Sequence, residues 1–209
     1  MGDQVDFTIN ANMHSAFLRE IDRLRPAVGR ADLADPLVTG GIQRRYRFFS
    51  DTLRTHHEAE DQCLWPVALA RATGEEKAVL TAMESEHVAL SRALDSLDGS
   101  MSVLGPDTDI AAVQRGFDRV REVLAGHCAH EERDAIPIVR RYVTKDDLKG
   151  FMERTRSQED SDLVLPWICD GATQEQVSNT WSMLPGFVRA FVKPMTTRKY
   201  QQFSQECGV

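Results

Sequence analysis

Four stretches of the chain repeat apolar residues at alternating steps of three and four, the spacing that gathers them on one face of an α-helix. The first runs roughly from Thr8 to Val28 and aligns His14, Phe17, Ile21, Leu24 and Val28. The second, roughly Ile42 to Arg71, aligns Ile42, Tyr46, Phe49, Leu53, His56, Glu60, Leu64 and Val67. The third, roughly Glu75 to Leu97, aligns Leu80, Met83, His87, Leu90, Leu94 and Leu97. The fourth, roughly Ile110 to Tyr142, aligns Val113, Phe117, Val120, Leu124, His127 and Glu131. Pro26, Gly29 and the segment ADLADP are expected to end the first helix, and Thr73-x-x-Glu76 to open the third with a capping box. Residues 98–109 read as the loop between third and fourth. Short connections make consecutive helices antiparallel neighbours, so the predicted fold is all-α, an up-down-up-down four-helix bundle.

The polar residues on these apolar stripes change the picture. All six histidines of the chain fall within one repeating pattern: His14, then His56-x3-Glu60, then His87, then His127-x3-Glu131, with His57 and His130 beside them. The two halves match in spacing, 42 residues from His14 to His56 and 40 from His87 to His127. HHEAEDQCLWP (56–66) and HCAHEERDAIP (127–137) both read His-x3-Glu and an acid, closing on an apolar residue and a proline. That is the mark of a duplicated helical hairpin. Pro66 and Pro137 should kink or end the two ligand helices at equivalent heights.

Residues four apart on a helix share a face, so His56 converges with Glu60 and His127 with Glu131. Imidazole with carboxylate suits a borderline divalent metal such as iron, manganese or zinc. Packed together, four such helices present His14, His56, Glu60, His87, His127 and Glu131 to a common centre. Two metals bridged by two carboxylates account for that set. A single structural zinc, which wants four ligands, leaves part of it unused. Buried without a metal, these groups would cost on the order of 1–3 kcal/mol each as unpaired polar atoms. A ferritin-like site needs Glu-x-x-His on each of two helices; Glu84-x-x-His87 supplies one, and the fourth helix supplies none.

Some neighbours are open to more than one reading. His57 and His130 each point about a third of a turn away from a ligand. Either is a surface residue or a group hydrogen-bonded to the ligands, and His57 could swing in to complete a metal's coordination. Glu84 is a further candidate ligand or hydrogen-bond acceptor. Cys63 reads as a small hydrophobe or, with the metal a turn lower, a soft ligand.

The chain of 209 residues is 42% hydrophobic and carries a net charge of −7 with both signs scattered. It has no basic stripe, so nucleic acid and anionic membrane are not expected partners. The start, MGDQVDFTIN, lacks an apolar leader core, Asp6 breaks the myristoylation pattern, and no long apolar run occurs, all of which predicts a cytoplasmic protein. The four cysteines (Cys63, Cys128, Cys169 and Cys207) form no C-x-x-C pair and read as reduced thiols. Beyond the bundle, Thr144-x-x-Asp147 and Thr173-x-x-Gln176 read as helix starts. Pro166, Pro185 and Pro194 are expected to break the helical pattern of this region, and Trp167, Trp181, Phe187 and Phe191 to supply apolar weight. The tail from Thr196 is expected to fray. This region is a helical extension that stabilises the bundle, a lid over the metals, or a dimerisation surface.

The arrangement His, His-x3-Glu, His, His-x3-Glu over roughly residues 8–142 resembles the hemerythrin family, in particular its bacterial HHE cation-binding members. The longer, actinobacterial-type members are also similar around LVLPWICDGATQEQ and WSMLPGFVRAF. The resemblance implies residues 1–145 as the bundle with its di-metal site and 146–209 as a C-terminal helical extension. It also implies a non-heme di-iron centre, oxo- or hydroxo-bridged, with Glu60 and Glu131 as bridging carboxylates. On that analogy His14 and His56 cap one iron, and His87 and His127 the other. Oxygen-carrying members have His-x3-His on the third helix, where this chain has Met83, and His-x4-Asp on the fourth, where it has His-x3-Glu. One nitrogen ligand is therefore missing unless His57, Glu84 or water replaces it. This departure favours peroxide, nitric oxide or redox chemistry over oxygen carriage. The expected activity is catalase-like turnover of hydrogen peroxide, a role in oxidative stress, behind water-excluding layers of Phe17, Leu53, Leu90 and Leu124. The sequence shows no sign of an organic-substrate pocket. The alternative is a module that binds or senses oxygen, nitric oxide or iron without turnover.

Overall fold

The computed structural model describes residues 5–208, so the expectation of no leader segment lies partly outside the described residues. Four long helical rods form the bundle. Helix α1 is Thr8–Arg30. The second rod is α2 (Pro36–Ala59), a π-helical turn (Glu60–Leu64) and α3 (Trp65–Arg71). Helix α4 is Gly74–Ser102. The fourth rod is α5 (Ile110–His130), a second π-helical turn (Glu131–Ala135) and α6 (Ile136–Tyr142). Helix α1 packs on α2 and α5, and α4 on α5 and α2, which closes the four into a bundle. His14 near the start of α1 meets His56 near the end of α2, as adjacent antiparallel helices require.

The duplication extends through the core. Phe17, Ile21, Leu24 and Val28 on α1 have their counterparts in Leu90, Leu94, Leu97 and Met101 on α4, all buried. Ile42, Tyr46, Phe49 and Leu53 on α2 correspond in the same way to Val113, Phe117, Val120 and Leu124 on α5. These form the larger apolar cluster. A second gathers Val5, Leu64, Trp65, Leu80, Met83, Ile138 and Val139. Every buried histidine and glutamate of the repeat lies on a helix between a residue of one cluster and a residue of the other.

Several boundaries differ from the sequence expectation. Helix α1 passes through Pro26 to Arg30, because the buried Val28 anchors the last turn despite the lost hydrogen bond. Helix α4 continues to Ser102, so the loop is shorter than residues 98–109. Met101 is buried, and the Gln43 side chain donates to the carbonyls of Met101 (2.9 Å) and Ser102 (3.3 Å), satisfying the helix end. Pro66 and Pro137 do not end their rods. Each is the second residue after a π turn, whose first residue accepts from an N–H five positions on (Trp65 to Glu60, Ile136 to Glu131), and the wider turn gives the ring room.

The extension consists of α7 (Leu148–Arg156), α8 (Ser161–Cys169), α9 (Gln174–Ser182) and α10 (Gly186–Cys207). Thr173 and Gln176 form the expected capping box. Thr144 and Asp147 bond reciprocally, but the helix itself begins after Asp147. Pro166 and Pro194 lie inside helices, and only Pro185 stands at a helix start. The tail is not frayed. Thr196, Tyr200, Phe203 and Cys207 are buried on one side of α10, with the Phe203 ring 5.3 Å from that of Phe48. Conversely Phe187 and Phe191, on the first turns of α10, are 75% and 78% exposed and contribute nothing to the core.

A buried polar network ties the extension to the bundle. Arg45 of α2 pairs with Glu20 of α1 at 2.6 Å and donates to the Tyr200 hydroxyl at 3.0 Å. Trp167 Nε1 donates to the same Glu20 at 3.0 Å, and the Tyr200 hydroxyl donates to Asp170 at 2.8 Å. The two ions are compensated by each other and by hydrogen bonds, the condition under which buried charge is tolerated. Leu163, Trp167, Ile168, Tyr200 and Phe203 thereby continue the apolar cluster of α1 and α2.

Candidate metal centre

The six residues picked out by the repeat come together. His14, His56, Glu60, His87, His127 and Glu131 are all buried, the two glutamates completely. Glu60 reaches one histidine from each half, with Oε1 3.4 Å from His56 Nε2 and Oε2 3.6 Å from His87 Nε2. Glu131 does the same, its Oε2 lying 3.2 Å from His14 Nε2 and 3.4 Å from His127 Nε2. The Nε2 atoms themselves face in pairs, His14 to His56 at 3.4 Å and His87 to His127 at 3.1 Å.

What holds the rings is a set of carboxylates that the sequence did not reveal as functional. His14 Nδ1 donates to Glu132 at 2.8 Å, His87 Nδ1 to Asp61 at 2.7 Å, and His127 Nδ1 to Glu86 at 2.9 Å. Asp61 and Glu132 are the acids that come after each His-x3-Glu, so the repeat carried the signal. Each serves the opposite half of the duplication. With Nδ1 protonated against a carboxylate, Nε2 of neutral His87 and His127 presents a lone pair to the centre, and His14 Nε2 would do the same once a cation displaces its second proton. In the His87–His127 pair, two lone pairs therefore confront each other across 3.1 Å. Both oxygens of Glu60, Oε2 of Glu131 and Nε2 of His57 are buried with no hydrogen-bond partner among the described residues. These are the marks of a place made for cations, and the donor set of imidazole and carboxylate suits them.

The neighbours sort themselves clearly. His57 is buried and joins Glu60, His87 and His127 in one group whose ligand atoms lie within 4.8 Å of one another. His57 therefore places a third imidazole beside His87 and His127, while Met83 is buried in the apolar cluster below. His14, His56 and Glu60 form a second such group. His130 is outside both and donates to Glu86 at 2.6 Å. Glu84 is exposed and lies outside both groups, whereas Glu86 on the same helix turns toward α5 and accepts from His127. Cys63 is half-buried on the outer side beside Gly150 of α7, away from the ligand face. Its counterpart in the repeat, Asp134, pairs with Arg133 at 2.6 Å. Cys128, the counterpart of His57, is buried and hydrogen-bonded to His14. The duplication is therefore asymmetric, with three imidazoles on one side and two on the other. Asn10, the counterpart of Met83, donates to Glu131 Oε1 at 2.8 Å.

Without a cation the electrostatics are frustrated. Burial, then the charge of Glu131, raises Glu60 well above its ordinary value of 4.5. For Glu131 burial also acts upward, but His14 and His127 outweigh it and hold the carboxyl well below that value. Burial pushes His56 down to about 3, with His14 adding to the effect, and burial together with His87 pushes His57 well below 6.5. His14 goes the other way, since Glu131 and its hydrogen bonds overcome the burial. A divalent cation would favour ionised carboxylates and neutral imidazoles throughout and remove the conflict.

The extension closes one flank. Phe151 of α7 lies with its ring 6.3 Å from that of His56. A cavity of about 390 Å³ opens between α1, α2 and the extension, with His56 and Asn10 in its wall. An organic-sized pocket was not expected from the sequence, because its walls come from segments far apart in the chain. No helix among the described residues is long and apolar enough to cross a membrane.

No curated protein and no solved structure matches the chain. The family described as the hemerythrin HHE cation-binding domain matches residues 9–139, the span that carries all four rods but for Thr8 and the last residues of α6. With the paired His-x3-Glu motifs meeting at one buried centre inside that span, the chain belongs to the hemerythrin HHE cation-binding domain family.

Proposed function

We propose that the centre holds two iron ions and that the protein turns over hydrogen peroxide in a catalase-like reaction. The observation that carries this reading is the facing of lone-pair nitrogens and unpartnered carboxylate oxygens in two adjoining groups that share Glu60. His14 and His56 would hold one ion and His57, His87 and His127 the other, with Glu60 and Glu131 supplying carboxylate oxygens between the two groups. Iron so held would supply one-electron redox change and Lewis acidity.

The chain's own residues do the rest. Glu132, Asp61 and Glu86 hold the Nδ1 protons and so fix ring orientation and strengthen the Nε2 donors. Phe17, Leu53, Leu90 and Leu124, all fully buried, keep bulk water from the centre. The position flanked by only two imidazoles is also the one whose His56 lines the cavity, so a small ligand reaches the less saturated side. This asymmetry favours exchange of hydrogen peroxide, oxygen or nitric oxide there, in a protein working in the cytoplasm.

The test is metal analysis of the purified chain with its optical spectrum, and then addition of peroxide. Two irons per chain, near-ultraviolet absorption and sustained oxygen evolution are expected. One zinc, or no metal retained after iron loading, overturns the metal reading. Two irons with a stable oxygen or nitric oxide adduct and no turnover replaces the enzyme by a binding or sensing module. Glu60→Ala and Glu131→Ala lose metal under both and so test the centre alone.

A further inference from the structure

The cavity beside His56 is larger than peroxide chemistry requires. At about 390 Å³ it falls in the range of organic-ligand sites, roughly 300–1,000 Å³. Its wall is mostly apolar. Met13, Met152, Met183 and Met195 all face it, together with Val164 and Leu165. Unbranched thioether side chains adapt to ligands of varied shape. The polar groups in the wall are mostly already engaged. Thr155 and Thr196 donate to carbonyls of their own helices, and Gln158 donates to Thr52. Asp162 is neutralised by Lys199, whose Nζ lies 2.8 Å from both carboxylate oxygens.

Arg156 is different. It lines the same cavity, stands exposed at its rim, and its side chain makes no hydrogen bond or ion pair among the described residues. A guanidinium with all its donors open, at the edge of an apolar chamber, matches a carboxylate by both charge and geometry. We infer that the cavity binds an apolar monocarboxylate of medium chain length, with its hydrocarbon among the methionines and its carboxylate on Arg156. The walls of this site belong to the extension as much as to the bundle, which gives residues 146–209 a role in ligand selection. Binding does not need the metals; only the ligand's placement beside a reactive centre rests on the di-iron reading.

The experiment is calorimetric titration of the full-length protein, metal-free and iron-loaded, with decanoate, decanol and decylamine. Saturable binding of one decanoate per chain is expected in both forms, at least tenfold tighter than decanol and with decylamine weaker still. Arg156→Ala should weaken decanoate at least tenfold and leave decanol unchanged, and Leu165→Trp should abolish binding of both. Arg156 is exposed, so its replacement leaves folding intact, and circular dichroism checks that Leu165→Trp is folded. Absence of saturable decanoate binding to the unaltered chain overturns the inference. So does equal binding of decanoate and decanol, or decanoate affinity that survives either replacement. If the chain binds decanoate but retains no iron, the metal reading fails and the ligand site stands.

Discussion

Asp61 and His87 lie on different rods and in opposite halves of the duplication, yet the carboxylate accepts from the imidazole Nδ1 at 2.7 Å. Glu132 and His14 repeat the relationship at 2.8 Å with the halves exchanged. Each half of the molecule thus orients a histidine of the other. Such carboxylates set ring orientation and donor strength, and losing one weakens metal binding by about 10–100-fold. Asp61→Ala and Glu132→Ala should each do so, measured by competition with a chelator of known affinity, while the metal-free melting curves change little. Unaltered affinity in both variants would show that the rings are held by packing alone.

Gly40 and Gly41 are adjacent on α2 and should respond in opposite directions. A Cβ at Gly40 would meet nothing within 4 Å, whereas one at Gly41 would lie 2.7 Å from the Cys207 carbonyl oxygen at the end of α10. Gly40→Ala should stabilise by up to about 1 kcal/mol through helix propensity. Gly41→Ala should cost about 1–3 kcal/mol by forcing α10 away. Urea unfolding of the two variants decides the matter. If Gly41→Ala proves as stable as Gly40→Ala, the close packing of the C-terminal end is wrong.

The buried Glu20–Arg45 pair predicts a large loss from removing one partner. Glu20→Ala removes the buried carboxylate that pairs with Arg45 and accepts from the Trp167 N–H, and should cost about 3–5 kcal/mol. Phe191→Ser, at a residue 78% exposed, should stay within about 0.5 kcal/mol. Thermal melts compare them, and a mild effect of Glu20→Ala would mean that the extension is only loosely attached.

Glu76 supplies a pH signature. It accepts from the Thr73 backbone N–H at 3.1 Å and from the Tyr142 hydroxyl at 2.8 Å, and it pairs with Arg141. The first of these bonds, then the second and the Arg141 contact, lower its carboxyl from 4.5 to about 2. Because the folded value is the depressed one, its contribution is complete above 4.5 and disappears as pH falls toward 2. The stability difference between the natural chain and Glu76→Gln should therefore be constant near neutral pH and vanish through that acid window. A difference independent of pH would show that the carboxylate charge contributes nothing there.

The four rods and the six inward-facing residues of the repeat were legible in the sequence. Both come from helical periodicity, which fixes the face of each residue without knowledge of its neighbours. The capping boxes at Thr73 and Thr173 were legible for the same reason, being local. Which side chains meet across rods is a matter of packing. Asp61 and Glu132 could be seen as part of the repeat, but only the assembled bundle shows that each reaches the other half. His57, ambiguous as a neighbour of His56, becomes the third imidazole because the rods rotate it inward, while Glu84 stays outside. Long-range burial also overrides local signals, carrying α1 through Pro26, α4 through Gly99 and α10 through Pro194 to Cys207. The cavity lined by Met13, Leu165 and Met195 is beyond any local pattern, because its walls are far apart in the chain and meet only when the extension folds against α1 and α2.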